Sequence, residues 1–212
     1  MPTAWYSVEK FQGEAMRRFL TSVALFLSAT VAAAGDPLFD AVSAGNTVAV
    51  EQLLASGADV NSRTRDQATP LTNAALGNQL SVAELLIARN ADVMARNSGG
   101  FTPLHAAAFS GSVPISKLLL AHGAVLDDAS NKAGVTPLMV AGEENHVLLA
   151  EFFLGKGADV NHAEVHGYAP IARAMWKGNF DIVRLFKRNG VACPSANVLG
   201  ADNYAKCMEI HE

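Results

Sequence analysis

From residue 36 onward the apolar and polar positions repeat in a fixed beat. Each unit opens with a short apolar run behind a proline: Pro37-Leu38, Pro70-Leu71, Pro103-Leu104, Pro137-Leu138 and Pro170-Ile171. Each closes on a pair of large apolar residues: Leu53-Leu54, Leu85-Leu86, Leu118-Leu119, Phe152-Phe153 and Leu185-Phe186. Between run and pair stands Gly45, Gly77, Gly111, Asn145 or Gly178. Glycine and asparagine tolerate the left-handed conformation that ends a helix. The pattern therefore predicts a short helix, a tight turn and a second helix in every unit. The residue before each proline is Asp36, Thr69, Thr102, Thr136 or Ala169. Asp and Thr cap a helix with a side-chain oxygen. Proline at the first helical position loses nothing, because that N–H has no helical partner anyway.

The spacing is regular enough to be an internal repeat. The Thr-Pro-Leu triplets at Thr69, Thr102 and Thr136 lie 33 and 34 residues apart. A second marker, Gly-Ala-Asp-Val-Asn, stands at Gly57–Asn61 and Gly157–Asn161, with variants beginning at Asn90, Gly123 and Gly190. Two markers locked at one offset over five copies exclude chance. The stretch Thr102-Pro103-Leu104-His105-Ala106-Ala107 followed by Gly111, with Gly157–Asn161 closing a unit, resembles the ankyrin repeat. The resemblance covers residues 35–194 in five copies starting near Asp36, Thr69, Thr102, Thr136 and Ala169.

That resemblance implies an all-α solenoid of about five stacked helix-turn-helix repeats. Hairpin-like loops would project from one side, and the short first helices would line a concave face. One unit cannot bury its apolar side alone, so stacking supplies the core. Residues 195–212 would form a C-terminal capping segment. The fourth copy carries one extra residue, placed within Asp127–Gly134, and has Met139 at the motif histidine. The fifth has Ala169 instead of a capping threonine and Met175 instead of a motif alanine, and is expected to be the least regular.

Residues 1–34 have a different composition. Arg17 and Arg18 precede an apolar run from Phe19 to Val31, and Ala32-Ala33-Ala34 follows. This is the order of a secretory signal peptide, Met16–Ala34, with cleavage after Ala34 and an N-terminal extension ahead of it. The apolar run is short for a membrane span, which needs about 20 residues. The expectation is export to a periplasm or secretory space, with no stable membrane insertion once the signal is removed.

Export changes how the two cysteines are read. Cys193 and Cys207 are the only ones, and both lie in the C-terminal tail. In an oxidising compartment such a pair points to a disulfide; in a reducing one, to two free thiols.

Charge narrows the partners. The chain has 212 residues, 17% of them charged, and a formal net charge of −4. No basic run follows Arg18, so nucleic-acid binding lacks the stripe of cations that neutralises phosphates. No P-loop, G-x-G-x-x-G or G-x-S-x-G stretch is present, so neither a cofactor nor a catalytic residue is assigned. His162 and His166 flank Glu164 in a spacing that zinc sites use on a helix, but here the three fall in a loop. A metal site there would need further ligands that the sequence does not supply nearby. His105 falls on the motif histidine, for which the resemblance implies a loop-supporting hydrogen bond.

The resemblance also implies where a partner would bind: the loop tips and the exposed face of the first helices. At those positions stand Arg63, Arg65, Arg96, Phe101, Phe109, Glu143, His166, Tyr168, Arg173, Trp176 and Lys177. Aromatic and arginine side chains are over-represented in interface hot spots. The sequence thus reads as a non-enzymatic module that is monomeric alone and binds another protein. Two roles suit an exported module of this kind. One is an immunity or inhibitor protein. The other is a scaffold or accessory factor, for instance to an antioxidant enzyme such as catalase. A metal-binding or hydrolytic protein built on its histidines is the alternative of a different class.

Overall fold

The structure is a computed structural model and describes residues 36–211. The signal-peptide stretch Met16–Ala34 lies outside the described residues. Within them every regular element is a helix. Five helix pairs follow one another: α1 (Pro37–Ser43) and α2 (Thr47–Ala55), α3 (Pro70–Leu76) and α4 (Leu80–Ala88), α5 (Pro103–Phe109) and α6 (Val113–Ala121), α7 (Pro137–Glu143) and α8 (Val147–Gly155), α9 (Pro170–Lys177) and α10 (Phe180–Arg188). Two more helices, α11 (Ala196–Leu199) and α12 (Ala201–Glu209), close the C-terminal end.

The starts of the first helices follow from the caps. Asp36 Oδ1 accepts from Leu38 N at 2.9 Å, and the hydroxyls of Thr69 and Thr136 accept from Thr72 N and Met139 N. Proline is the first residue in all five. Ala169 offers no oxygen, and α9 has no side-chain cap. The turns between paired helices all require a left-handed residue. In the second repeat that residue is not Gly77, which has φ −79°, but the next one, Asn78, at φ 52°. Asn78 lies 33 residues after Gly45 and 33 before Gly111, so the repeat register picks the correct residue where glycine content does not. Gly111 is constrained twice. Its φ is +71°, and a Cβ there would stand 2.5 Å from His146 Nδ1.

First helices stack on first helices and second on second, in chain order, while each pair packs on itself. Small residues allow the close approach: Ala74, Ala75, Ala106, Ala107, Ala108, Ala141 and Ala174 are wholly buried. Gly142 takes this part in α7, with Phe186 and Ile182 filling the space beside it. The paired large residues of the second helices divide the work. Leu86, Leu119, Phe153 and Phe186 are fully buried, while Leu85, Leu118 and Phe152 are half-buried.

The connecting loops form a second system of bonds. Each turns at a left-handed residue: Gln67, Gly100, Gly134 or Gly167. A buried side chain at a matching position holds each loop: Thr64, Asn97, Asn131 or Glu164. Asn97 Oδ1 accepts from Gly99 N and Phe101 N, and Asn131 Oδ1 from Ala133 N and Val135 N. Neighbouring loops are joined by one backbone bond each: Ser98 N to Asp66 O, Lys132 N to Gly99 O, Val165 N to Ala133 O. The extra residue of the fourth repeat falls between Gly123 and Gly134, eleven apart where Asn90 and Gly100 are ten apart.

Candidate functional site

The predicted recognition residues separate into three groups. The first is buried and ties the stack together. Phe101 is 5% exposed and meets the His105 ring edge-on at 5.4 Å. Glu143 and Arg173 are 6% and 5% exposed and form an ion pair between α7 and α9. The expectation that these three face a partner is therefore corrected. Val135 at the fourth loop is likewise buried, at 1%. The reason is positional: Glu143 stands one repeat after Phe109, and Arg173 one repeat after Val140. In that register the Arg173 side chain reaches the preceding first helix, as Asn73 reaches Ser43 near the other end.

Burial sets the electrostatics of the pair. Loss of solvent pushes the Glu143 carboxyl up to about 7, and the Arg173 charge only partly offsets it. Loss of solvent also lowers Arg173, against the pull of Glu143. Asn179 Nδ2 donates to the carbonyls of Gly142 and Glu143 at 2.9 and 2.8 Å, satisfying the end of α7. His146 does the same one repeat earlier, with Nε2 donating to Phe109 O at 2.9 Å. Orphan carbonyls at helix ends are thus met by the next repeat.

The second group braces the loops. Arg63 Nη1 donates to Gln67 O and across to Arg96 O. Arg96 donates to Gly100 O and holds both oxygens of the buried Asp128. Burial pushes the Asp128 carboxyl up, but the Arg96 guanidinium outweighs it and leaves Asp128 below the usual carboxylate range. His105 belongs to the same scaffold. Its Nδ1 accepts from Thr102 N at 3.2 Å and its Nε2 donates to Val135 O at 2.9 Å. It is fully enclosed, which lowers its pKa to about 4 and keeps it neutral.

The third group stays at the surface and is concentrated in the fifth repeat. His166 and Lys177 are exposed, and Tyr168 and Trp176 are half-buried. The rings form a connected row: His166 stacks on Tyr168 at 6.4 Å, and Tyr168 meets Trp176 edge-on at 4.7 Å. Val165, beside them, is 62% exposed. Arg65 is exposed on the second-repeat loop, and Phe109 is half-buried. The sequence places His166, Tyr168 and Trp176 among its recognition candidates, and the structure adds the ring contacts that join a loop residue, Tyr168, to a helix-end residue, Trp176.

The histidine pair does not form a metal centre. Glu164 is buried, its Oε1 accepting from Tyr168 N and its Oε2 facing His166 Nδ1 at 2.8 Å. His162 turns away, with Nε2 donating to Gly134 O at 2.9 Å. Among the described residues no three His, Cys, Asp or Glu side chains come together as a metal site.

Comparison with known families decides the fold's membership. A family model described as ankyrin repeats in three copies matches residues 38–130, and the single ankyrin repeat matches residues 133–164. The chain belongs to the ankyrin-repeat family. The matched spans cover more than half of the 212 residues. They stop at residue 164, and the worn fifth repeat beyond them still forms the same helix pair, with α9 one residue longer than the other first helices. No curated protein matches the chain. Ankyrin repeats are protein–protein interaction modules, so this chain is a protein-binding repeat scaffold. No described helix is long and apolar enough to cross a membrane.

Proposed function

We propose that the docking surface of this ankyrin protein is centred on the fifth repeat and takes a folded protein partner. The observation that carries the reading is the row His166–Tyr168–Trp176, flanked by exposed Val165 and Lys177. It joins aromatic area, an apolar edge and a cation at one place, the composition of interface anchors. The underlying repeats are locked by buried bonds, so little chain ordering accompanies contact, which favours affinity.

We further propose that the protein works after export, in a periplasmic or other oxidising space. The Met16–Ala34 pattern and the pairing of the only two cysteines support this. In such a space an inhibitor of a toxin and an accessory to an enzyme remain the two roles to separate.

The test is affinity capture from native extract with residues 35–212 as bait. The comparison bait carries Val165→Ser, His166→Gln and Lys177→Gln, all at exposed positions, with glutamine at 166 keeping a donor for the buried Glu164. The proposal expects a captured partner that the triple variant loses by at least about tenfold while its melting curve is unchanged. Equal capture by both baits refutes the fifth-repeat surface.

A further inference from the structure

The last helix is attached in an unusual way. Of the nine residues of α12, only Cys207 is fully buried. Tyr204 and Asn203 are half-buried, and Ala201, Asp202, Ala205, Lys206, Met208 and Glu209 are exposed. Its N-cap is Gly200, which offers no side-chain oxygen. A nine-residue helix with no cap is marginal in water and needs tertiary anchoring. Two anchors exist. One is the disulfide between Cys207 and Cys193, the latter in the segment after α10. The other is Lys187 of α10, whose ammonium donates to the carbonyls of Cys207 and Ile210. By contrast α11 is held by an ordinary apolar side chain, Leu199, at 1% exposure.

We infer that the Cys193–Cys207 disulfide is a redox latch, whose reduction releases α12 from the end of the stack while the repeats stay folded. Reduction removes the cross-link and leaves the Cys207 thiol, the half-buried Tyr204 and the two Lys187 bonds to hold an uncapped nine-residue helix that is otherwise largely exposed. Cys193 is only partly buried whereas Cys207 is fully buried, so Cys193 is the half-cystine nearer to solvent. The exchange balances with a dithiol. One thiolate attacks Cys193 Sγ and breaks the S–S bond, with Cys207 leaving as thiolate. The second thiol of the reductant then displaces Cys193. The reductant ends as a disulfide and the protein holds two protonated thiols. In an oxidising space the latch is shut; where a dithiol reaches it, α12 lifts from α9 and α10. The inference rests on burial and bonding, not on the docking surface proposed above.

The experiment is amide hydrogen exchange on residues 35–212, with and without dithiothreitol, followed by region. Closing a loop between residues 14 apart is worth on the order of 100-fold in the closed-to-open ratio. The expected result is a loss of protection of that order in residues 201–209, with residues 70–155 unchanged. A Cys193→Ser/Cys207→Ser variant should show the loss without reductant and no further response to it. Two results overturn the latch. One is equal protection of 201–209 in the oxidised and reduced protein, which would mean that packing holds the helix. The other is a loss spread evenly over all repeats, which would make the bond a global staple.

Discussion

Two buried titrating groups act on stability with opposite signs in one pH window, and separating them is a demanding test of the packing. His105 is neutral in the fold with a pKa of about 4, while an unfolded histidine titrates near 6.5. Between these values the unfolded chain binds more protons, so stability is lost as pH falls from about 6.5 to about 4. At 1.36 kcal/mol per pH decade the full effect is about 3 kcal/mol. Glu143 runs the other way. Its folded value of about 7 lies above the ordinary 4.5, so the folded chain binds the extra proton. Stability is then lost as pH rises from about 4.5 to about 7. In the native chain the two oppose each other, so the midpoint of urea unfolding changes less from about pH 4.5 to 6.5 than in a variant that keeps only one of them.

Variants separate the two effects. His105→Gln keeps a side-chain acceptor for the Thr102 N–H and removes the titration. Its stability should fall as pH rises through this window. Glu143→Leu/Arg173→Met replaces the pair with apolar groups, a change that is often neutral or stabilising. Its stability should instead climb by about 3 kcal/mol from pH 4.5 to 7. Urea titrations at half-unit pH steps read both slopes. If all three proteins share one slope, neither group is buried in the way described.

Further predictions follow from single contacts. Gly111→Ala should lose more stability than Gly178→Ala by thermal melt. Both need a left-handed residue, worth about 1–2 kcal/mol, but only position 111 also drives a methyl into the His146 ring. Equal losses would show that the ring moves aside freely. Arg96→Ala strips the buried Asp128 of its bidentate partner and should destabilise by about 1–3 kcal/mol in urea unfolding. Arg96→Ala/Asp128→Ala should recover part of that, and no recovery would contradict the pairing. Arg65→Ala, on an exposed loop tip, should leave the melt within about 0.5 kcal/mol of native.

Much of the fold could be read from the sequence because its determinants are local. Caps, first-position prolines and left-handed turns depend on residues within one helical turn of each other, and the repeat register corrects single errors such as Gly77 for Asn78. The surface was less legible for a physical reason. Whether a position on a first helix faces solvent depends on what the next repeat places against it. Phe101 is covered by its own loop and His105, and Arg173 is drawn inward by an acid 30 residues away. A signal for that pair was present: two opposite charges replace apolar residues at facing register positions. The loop role of Glu164, by contrast, was readable, since it stands where Asn97 and Asn131 stand.

The central claim is that a partner contacts the fifth-repeat row, and proximity labelling addresses it most directly. A photo-crosslinking amino acid placed at position 165, beside the row, is compared with one at position 148 on α8, where Leu148 is 76% exposed. Irradiation in native extract should give a defined adduct from position 165 and none from position 148. An adduct from position 148 with none from position 165 would place the partner on the opposite layer and contradict the account.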